Sequence, residues 1–191
     1  AYAASRVLDW LVTVPGVDAA RAVVTGHSRL GKTALWCAAQ DERFACGISN
    51  DSGCGGAALE RGKIGEHIAE ITRVFPFWFA PRYAEYAGDV YAMPTDQHFA
   101  AACVAPRLCY IASAEEDLWA DPASELLCAA AASEAYTLLG VPGLSPMPDT
   151  LPEAPASFAE GRLGYHVRRG LHYYDREDWL HQLAFLEKHL K

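Results

Sequence analysis

Residues 23–32 read Val-Val-Thr-Gly-His-Ser-Arg-Leu-Gly-Lys, a short apolar strand that runs into Ser28 and continues as a helix. A serine on such a sharp strand-to-helix turn projects its hydroxyl above a sheet, and the helix N-terminus presents backbone N–H groups to a developing oxyanion. Leu30 occupies the position of the second glycine in the G-x-S-x-G pattern, and Gly31 comes one residue later. The stretch predicts a nucleophile at Ser28 in an α/β fold.

Two cations, Arg29 and Lys32, fall in the first turn of the predicted helix. The helix dipole is positive at this end, so cations are unfavourable there and Asp or Glu is usual. Solvated surface cations are the alternative interpretation. The position of these two beside Ser28 favours a site built to hold negative charge.

The rest of the chain alternates short apolar strands with helices. Strands are predicted at 22–25, 44–49, 107–113 and 165–168, and helices at 3–13, 29–40, 65–74, 96–103, 122–139 and 176–190. The proline-rich residues 141–161 are predicted to form a long loop. This order indicates one α/β domain over residues 1–191 with a mostly parallel sheet.

Composition excludes several classes of protein. The chain has 191 residues, 51% hydrophobic and 21% charged, which is ordinary for a globular domain and excludes a disordered or fibrous chain. Its formal net charge of −8 argues against a nucleic-acid partner or an anionic membrane surface. No apolar run reaches the roughly 18 residues that a transmembrane helix requires.

The six cysteines are expected to be free thiols. Five lie in apolar stretches, where a thiol behaves as a small core hydrophobe; they are Cys37, Cys46, Cys103, Cys109 and Cys128. Cys54 differs, because it lies in the glycine-rich loop of residues 52–56. A disulfide framework is the less favoured alternative. The chain contains no C-x-x-C pair of the kind that would indicate a metal site. We therefore expect no metal and no cofactor.

An activated serine needs a general base, and that base needs an orienting acid. His172 lies between the last predicted strand and the final helix, where an α/β-hydrolase carries its catalytic histidine. His27 is expected to point away across the turn, and His166 belongs to the strand itself. His181 and His189 are expected to be solvated on the final helix.

Two carboxylates compete for the role of the acid. Asp117 follows the strand 107–113, and the chain order Ser28, Asp117, His172 is the order of α/β-hydrolases. Asp51 follows the preceding strand and is the alternative, while Glu116 is a weaker third candidate. The residue that is not used is expected to cap backbone N–H groups in its loop.

Residues 26–32, GHSRLGK, resemble the G-C-S-R-x-G-K signature of the glucuronoyl esterases, carbohydrate esterase family fifteen. Further similarities run in the same order along nearly the whole chain, at residues 50–56, 77–79, 96–98 and 105–107 and around His172. The resemblance implies an α/β-hydrolase fold and cleavage of esters between glucuronic acid on xylan and lignin alcohols. The implied partner is a carbohydrate ester, and the implied enzyme is a carboxylic ester hydrolase.

The resemblance also implies roles for single residues. His172 matches the catalytic histidine of the family, and Asp51 aligns with a glutamate that fungal members use as the acid. Arg29 is implied to stabilise the oxyanion, Lys32 to contact the hydroxyls of the uronic acid, and Trp119 to lie near the sugar. Partial burial in packing is the alternative role for Trp119. The aromatic residues 75–79 are expected to pack beneath the site.

The chain departs from the fungal pattern at two linked positions. Fungal members join the cysteine before the nucleophile to one just after the histidine, and here those positions are His27 and Tyr173. Both partners are absent together, so the chain resembles bacterial members more closely. Another carbohydrate esterase, such as an acetyl-xylan esterase, and a binding homologue without turnover remain alternative functions. The family acts mainly outside the cell whereas free thiols favour a reducing compartment, so localisation stays open.

Ser28 stands close to the beginning of the chain. An α/β-hydrolase usually places about four strands before its nucleophile, and the residues before Ser28 allow one helix and one strand. We therefore expect the C-terminal part of a larger hydrolase, its early strands supplied by a second chain or an N-terminal segment, with a minimal variant of the fold as the alternative.

Overall fold

The computed structural model describes all residues, 1–191. Its helices are α1 (Tyr2–Leu11), α2 (Arg29–Gln40), α3 (Ile68–Val74), α4 (His98–Ala102), α5 (Pro122–Leu138) and α6 (Arg176–His189). Its strands are β1 (Val23–His27), β2 (Cys46–Asn50), β3 (Leu108–Ala114), β4 (Ala156–Phe158) and β5 (Leu163–Arg168). Short 3₁₀ helices cover Ala19–Arg21, Pro81–Gly88 and Val90–Ala92. None of the helices combines the length and the apolar character needed to cross a membrane.

The five strands form one sheet in the order β1-β2-β3-β5-β4. β1, β2, β3 and β5 pair in parallel, and β4 pairs antiparallel with β5 at the edge. The prediction of a mostly parallel α/β sheet is confirmed. β4 lies within residues 141–161, which we expected to be a loop throughout. A strand of three residues next to prolines is too short to produce a recognisable alternation of apolar and polar residues.

Helices cover both faces of the sheet. In β3, Cys109 and Ile111 face the larger core cluster, to which α2, α4 and α5 contribute. The alternate residues Leu108 and Tyr110 face the opposite side, where Phe185 of α6 packs against them. This alternation is the period-2 pattern of a strand that is buried on both faces.

The cysteines are all free, as expected, but the burial of one of them differs from the prediction. Cys103 is exposed, although it lies in an apolar stretch. It follows the end of α4, and its neighbours Ala101 and Val104 take the buried positions instead. Cys54, in the glycine-rich loop, is fully buried beside Ile68 and Ile71.

Parallel pairing brings the carboxyl ends of β1, β2, β3 and β5 to the same edge of the sheet. His27 is in register with Asn50, and Ala114 is in register with Arg168. In open α/β sheets ligands bind at this edge. The residues that follow the four strands therefore form the candidate site.

We predict that Gly26→Ala destabilises the turn between β1 and α2. A Cβ atom at Gly26 would lie 2.1 Å from the carbonyl oxygen of Leu30 and 2.9 Å from the backbone nitrogen of Gly31, so the first turn of α2 would have to move. The expected loss in the free energy of unfolding is about 1–3 kcal/mol, measured by denaturant titration.

The matched control is Gly88→Ala. Gly88 is exposed, and nothing lies within 4 Å of the Cβ position there. The control should change the free energy of unfolding by no more than about 0.5 kcal/mol. Equal losses in the two variants would show that the close approach at Gly26 does not constrain the turn.

Candidate active site

Ser28 sits at the turn between β1 and α2 with φ 59° and ψ −126°. A non-glycine residue in this region is strained, and such residues cluster at functional sites. The turn is held because the N–H of Ser28 donates to the carbonyl of Asn50 at 2.8 Å, and the N–H of Lys32 donates to the carbonyl of Ser28 at 3.1 Å. The hydroxyl is thereby presented at the carboxyl edge of the sheet.

The structure brings Ser28, His172 and Asp117 together in one hydrogen-bonded chain. The hydroxyl of Ser28 lies 2.8 Å from Nε2 of His172, and Nδ1 of His172 lies 2.6 Å from Oδ2 of Asp117. A carboxylate at Nδ1 holds the proton on that nitrogen, which leaves Nε2 free to accept the proton of the hydroxyl. Asp117 is buried, in the turn after β3, where its second oxygen accepts the N–H of Ala120.

Asp51, the alternative acid, is engaged elsewhere. Its Oδ1 accepts the N–H of Ala114 at 2.7 Å, and its Oδ2 accepts from Arg168 at 3.1 Å. Burial raises the pKa of Asp51 to about 9, the charge of Glu125 adds to this effect, and Arg168 opposes it. Both oxygens of Asp51 are thus engaged by Ala114 and Arg168, and neither makes a hydrogen bond to His172. Glu116, the third candidate, is exposed.

The same side chains could in principle hold a metal ion. Asp51, Asp117 and His172 offer ligand atoms that all lie within 4.8 Å of one another. Asp117 and His172 are hydrogen-bonded to each other, however, and Asp51 is bound by Ala114 and Arg168. All three side chains are therefore already held by hydrogen bonds within the protein, and the geometry fits a hydrogen-bonded triad of Ser28, His172 and Asp117 better than a metal centre.

His27 does not point away from the site, contrary to our expectation. Its ring lies 4.5 Å from the ring of His172 and stacks on Tyr174 at 5.7 Å. The cause is Asn50 on the neighbouring strand, whose Oδ1 accepts from Nδ1 of His27 at 2.7 Å. Burial lowers the pKa of His27, and His172 contributes in the same direction.

The three remaining histidines of the C-terminal segment occupy different environments. His166 is fully buried on β5, with Asp178 and Tyr110 each 3.0 Å from its ring nitrogens. Burial lowers the pKa of His166, although the hydrogen bond to Asp178 acts to raise it. The expectation that His181 and His189 are solvated is wrong, because both are half-buried: His181 stacks on His166, and His189 bonds to the carbonyl of Ala159.

A cavity of about 320 Å³ opens beside the triad. Its lining includes Ser28, Asp117 and His172 together with Lys32 and Trp119, two of the residues expected to contact substrate. Nζ of Lys32 donates to the carbonyl of Ser52, and burial lowers the pKa of this lysine. The expected contact residues Lys32 and Trp119 therefore share one pocket with Ser28.

Arg29 is not among the residues that line the pocket. The side chain is exposed, and its guanidinium carbon lies 5.1 Å from the ring centre of Trp78. A cation over an indole ring is attracted by the negative face of that ring. This contact holds Arg29 near the turn at Ser28.

The aromatic segment packs against the buried cluster around Cys54, and it also forms part of the pocket wall, which the expectation that it packs beneath the site did not include. Phe75 and Trp78 stack at 3.7 Å and both line the cavity, whereas Phe77 is 81% exposed. The N–H of Trp78 donates to the carbonyl of Phe75 and closes a turn. This turn places the rings of Phe75 and Trp78 on one side and Phe77 on the other. Apolar character alone did not distinguish these positions.

Glu66 also lines the cavity, although nothing in the sequence singles it out. Its N–H donates to the carbonyl of Trp119 at 3.0 Å, which ties the loop before α3 to the loop after β3. Burial raises the pKa of Glu66, while Lys32 acts to lower it. No motif surrounds Glu66, so only its place in the fold identifies it.

Comparison with known proteins identifies the family. A family model described as glucuronyl esterase of fungi matches residues 1–140. A carbohydrate esterase from an unidentified prokaryotic organism is 43% identical over 190 residues, which are 100% of this chain and 43% of the relative. This chain therefore spans less than half the length of that relative.

Two solved structures extend the comparison. A promiscuous esterase of carbohydrate esterase family fifteen, from a marine bacterial metagenome, superposes with a TM-score of 0.95 at 42% identity, over 98% of this chain and 47% of the other. A glucuronoyl esterase from Sporotrichum thermophile, in complex with methyl 4-O-methyl-β-D-glucopyranuronate, superposes with a TM-score of 0.76 at 25% identity, over 97% of this chain and 49% of the other. With its mostly parallel sheet and these neighbours, the chain has the α/β-hydrolase fold and belongs to the glucuronoyl esterases, carbohydrate esterase family fifteen, nearer to the bacterial than to the fungal member.

Proposed function

We propose that the protein is a serine carboxylester hydrolase that cleaves esters of 4-O-methyl-glucuronic acid, including those that join glucuronoxylan to lignin alcohols. The observation that carries the proposal is the hydrogen-bonded chain Ser28–His172–Asp117 at a pocket that also contains Lys32 and Trp119. Membership of the family supports the ester class, and the relative bound to methyl 4-O-methyl-glucopyranuronate supports the uronate.

In the proposed reaction Ser28 attacks the ester carbonyl while His172 accepts the hydroxyl proton at Nε2. His172 then gives that proton to the departing alcohol, and an acyl-enzyme remains on Ser28. Water, deprotonated by the same imidazole, attacks this ester, and the imidazolium returns the proton to the oxygen of Ser28 as the uronate leaves. Asp117 keeps the proton of His172 on Nδ1 and stabilises the imidazolium in both steps, for which the 2.6 Å contact is suited.

The oxyanion is assigned to the first turn of α2. The first N–H groups of a helix have no partner within the helix, and the dipole there favours negative charge. Arg29, next to Ser28, adds a full positive charge to this turn. One well-placed donor at a developing oxyanion is worth about 3–4 kcal/mol of barrier.

The uronate is assigned to the far wall of the pocket. Lys32 lies one helical turn after Ser28 and is held by the carbonyl of Ser52, so its ammonium can donate to sugar hydroxyls. Trp119 is 57% exposed beside it, and an exposed indole face suits the C–H surface of a pyranose. These two residues set the preference for a sugar acid over a simple acetyl group.

Removing the Lys32 ammonium should therefore affect uronate esters selectively. For Lys32→Ala we expect kcat/KM on a methyl or benzyl glucuronate ester to fall about 10–100-fold, because one or two hydrogen bonds from a charged donor are lost. Turnover of an acetylated xylan should change little, and Ser28→Ala should abolish turnover of both. Lys188→Ala, a lysine in the last turn of α6, is the control. If the protein hydrolyses acetyl esters better than uronate esters, and Lys32→Ala does not change this activity, the protein is an acetyl-xylan esterase instead.

The two candidate acids can be separated by matched substitutions. Asp117→Asn should lower kcat about 10³–10⁴-fold, because an amide at Nδ1 favours the wrong tautomer of His172. Asp51→Asn replaces one of the two carboxylate oxygens, neither of which bonds to His172, and should lower kcat by less than about tenfold. Steady-state kinetics on the uronate ester make the comparison, and the reverse order of the two losses would assign the acid to Asp51.

A further inference from the structure

Arg168 is the last residue of β5, and its side chain is fully buried. A guanidinium has five N–H donors, and here every one has an acceptor. Nε donates to Asp178 at 2.8 Å, and one Nη2 proton donates to Asp51 at 3.1 Å. The other three donors go to backbone carbonyls, those of Arg169 and Leu171 from Nη1 and that of Tyr173 from Nη2.

These three carbonyls belong to the loop that carries His172. Leu171 and Tyr173 flank the histidine directly, so one rigid guanidinium binds the backbone on both sides of it. The loop joins β5 to α6 without regular structure of its own, and the side chain of His172 is 44% exposed. The position of the imidazole therefore depends on how firmly the backbone of residues 171–173 is held.

The guanidinium is itself fixed by a buried carboxylate. Asp178 of α6 accepts from Arg168 through Oδ2 and from His166 and Asn50 through Oδ1. Asn50 in turn accepts from His27, whose ring lies against the ring of His172. Asp178 thus connects to His172 by two routes. Through Arg168 it supports the backbone on both sides of the histidine, and through Asn50 and His27 it supports the face of the imidazole ring.

We infer that Arg168 is a positioning residue, which holds the loop of residues 169–173 so that His172 stays within hydrogen-bond reach of both Ser28 and Asp117. The ring of Tyr173 lies 4.3 Å from the guanidinium carbon and covers the guanidinium on one face. The inference rests on the proposed function, because it assigns Arg168 to the reaction of Ser28. A displacement of about 1 Å at a catalytic group can cost about 10²-fold in rate, which is the size of effect we expect.

Arg168→Lys tests the inference in the full-length protein. Lysine keeps the positive charge next to Asp178 but carries only three donors, all on one nitrogen, so it cannot reproduce the five hydrogen bonds of the guanidinium. Arg107→Lys is the matched control, since Arg107 also donates to several backbone carbonyls, including those of Ala38 and Phe44, and lies away from the site.

The readouts are chosen to separate positioning from stability. For Arg168→Lys, kcat on a uronate ester should fall about 10²-fold with KM nearly unchanged. The rate at which a fluorophosphonate labels Ser28 should fall in parallel, and the low-field proton resonance of the His172–Asp117 hydrogen bond should weaken. Arg107→Lys should change none of these. A kcat within about twofold of wild type, or a loss confined to KM, would overturn the inference.

A second variant covers the case in which Arg168→Lys does not fold. Asp178→Asn removes the charge that fixes the guanidinium of Arg168 but leaves Arg168 itself in place, so kcat and the labelling rate of Ser28 should fall with KM nearly unchanged. Wild-type values of kcat and of the labelling rate in this variant would overturn the inference. If wild type hydrolyses no uronate ester, the proposed function fails, and the labelling rate and the proton resonance still decide the role of Arg168.

Discussion

Parallel pairing of β1, β2, β3 and β5 is the constraint on which the site depends. It places the ends of four strands side by side, so that Ser28, Asp51, the turn of Asp117 and the loop of His172 all start from one edge. A change of register by one residue would reverse the face of every side chain on a strand. The triad distances of 2.6 and 2.8 Å thus require the strand register that backbone hydrogen bonds fix inside the sheet.

This edge carries a layer of buried polar groups, which would be costly if they were unpaired. Glu125 of α5 illustrates how they are satisfied. Its Oε1 accepts the N–H groups of Ser52 and Gly53, and its Oε2 accepts the hydroxyl of Ser113 at 2.6 Å. Burial raises the pKa of Glu125 to about 7, and these hydrogen bonds oppose the rise. Helix α5 therefore fixes the glycine-rich loop that forms the pocket floor.

The sequence predicted the parts of the molecule that local pattern controls. The turn at Ser28, the helix of residues 29–40 and the place of His172 follow from strand and helix periodicity and from chain order. β4 was missed because a three-residue edge strand has no periodicity. The position of His27 and the lining residue Glu66 depend on partners far along the chain, Asn50 and Trp119, which no local pattern reports.

His166 gives the site a sensitivity to acid that is separate from the triad. Its imidazole is buried without charge, and its pKa lies below the ordinary value, whereas in an unfolded chain a histidine takes up a proton near pH 6.5. Unfolding below that pH is therefore accompanied by proton uptake, and the stability present above it is lost as the pH falls. His166 shares Asp178 with Arg168. Acid thus lowers the stability of the fold that holds the His172 loop.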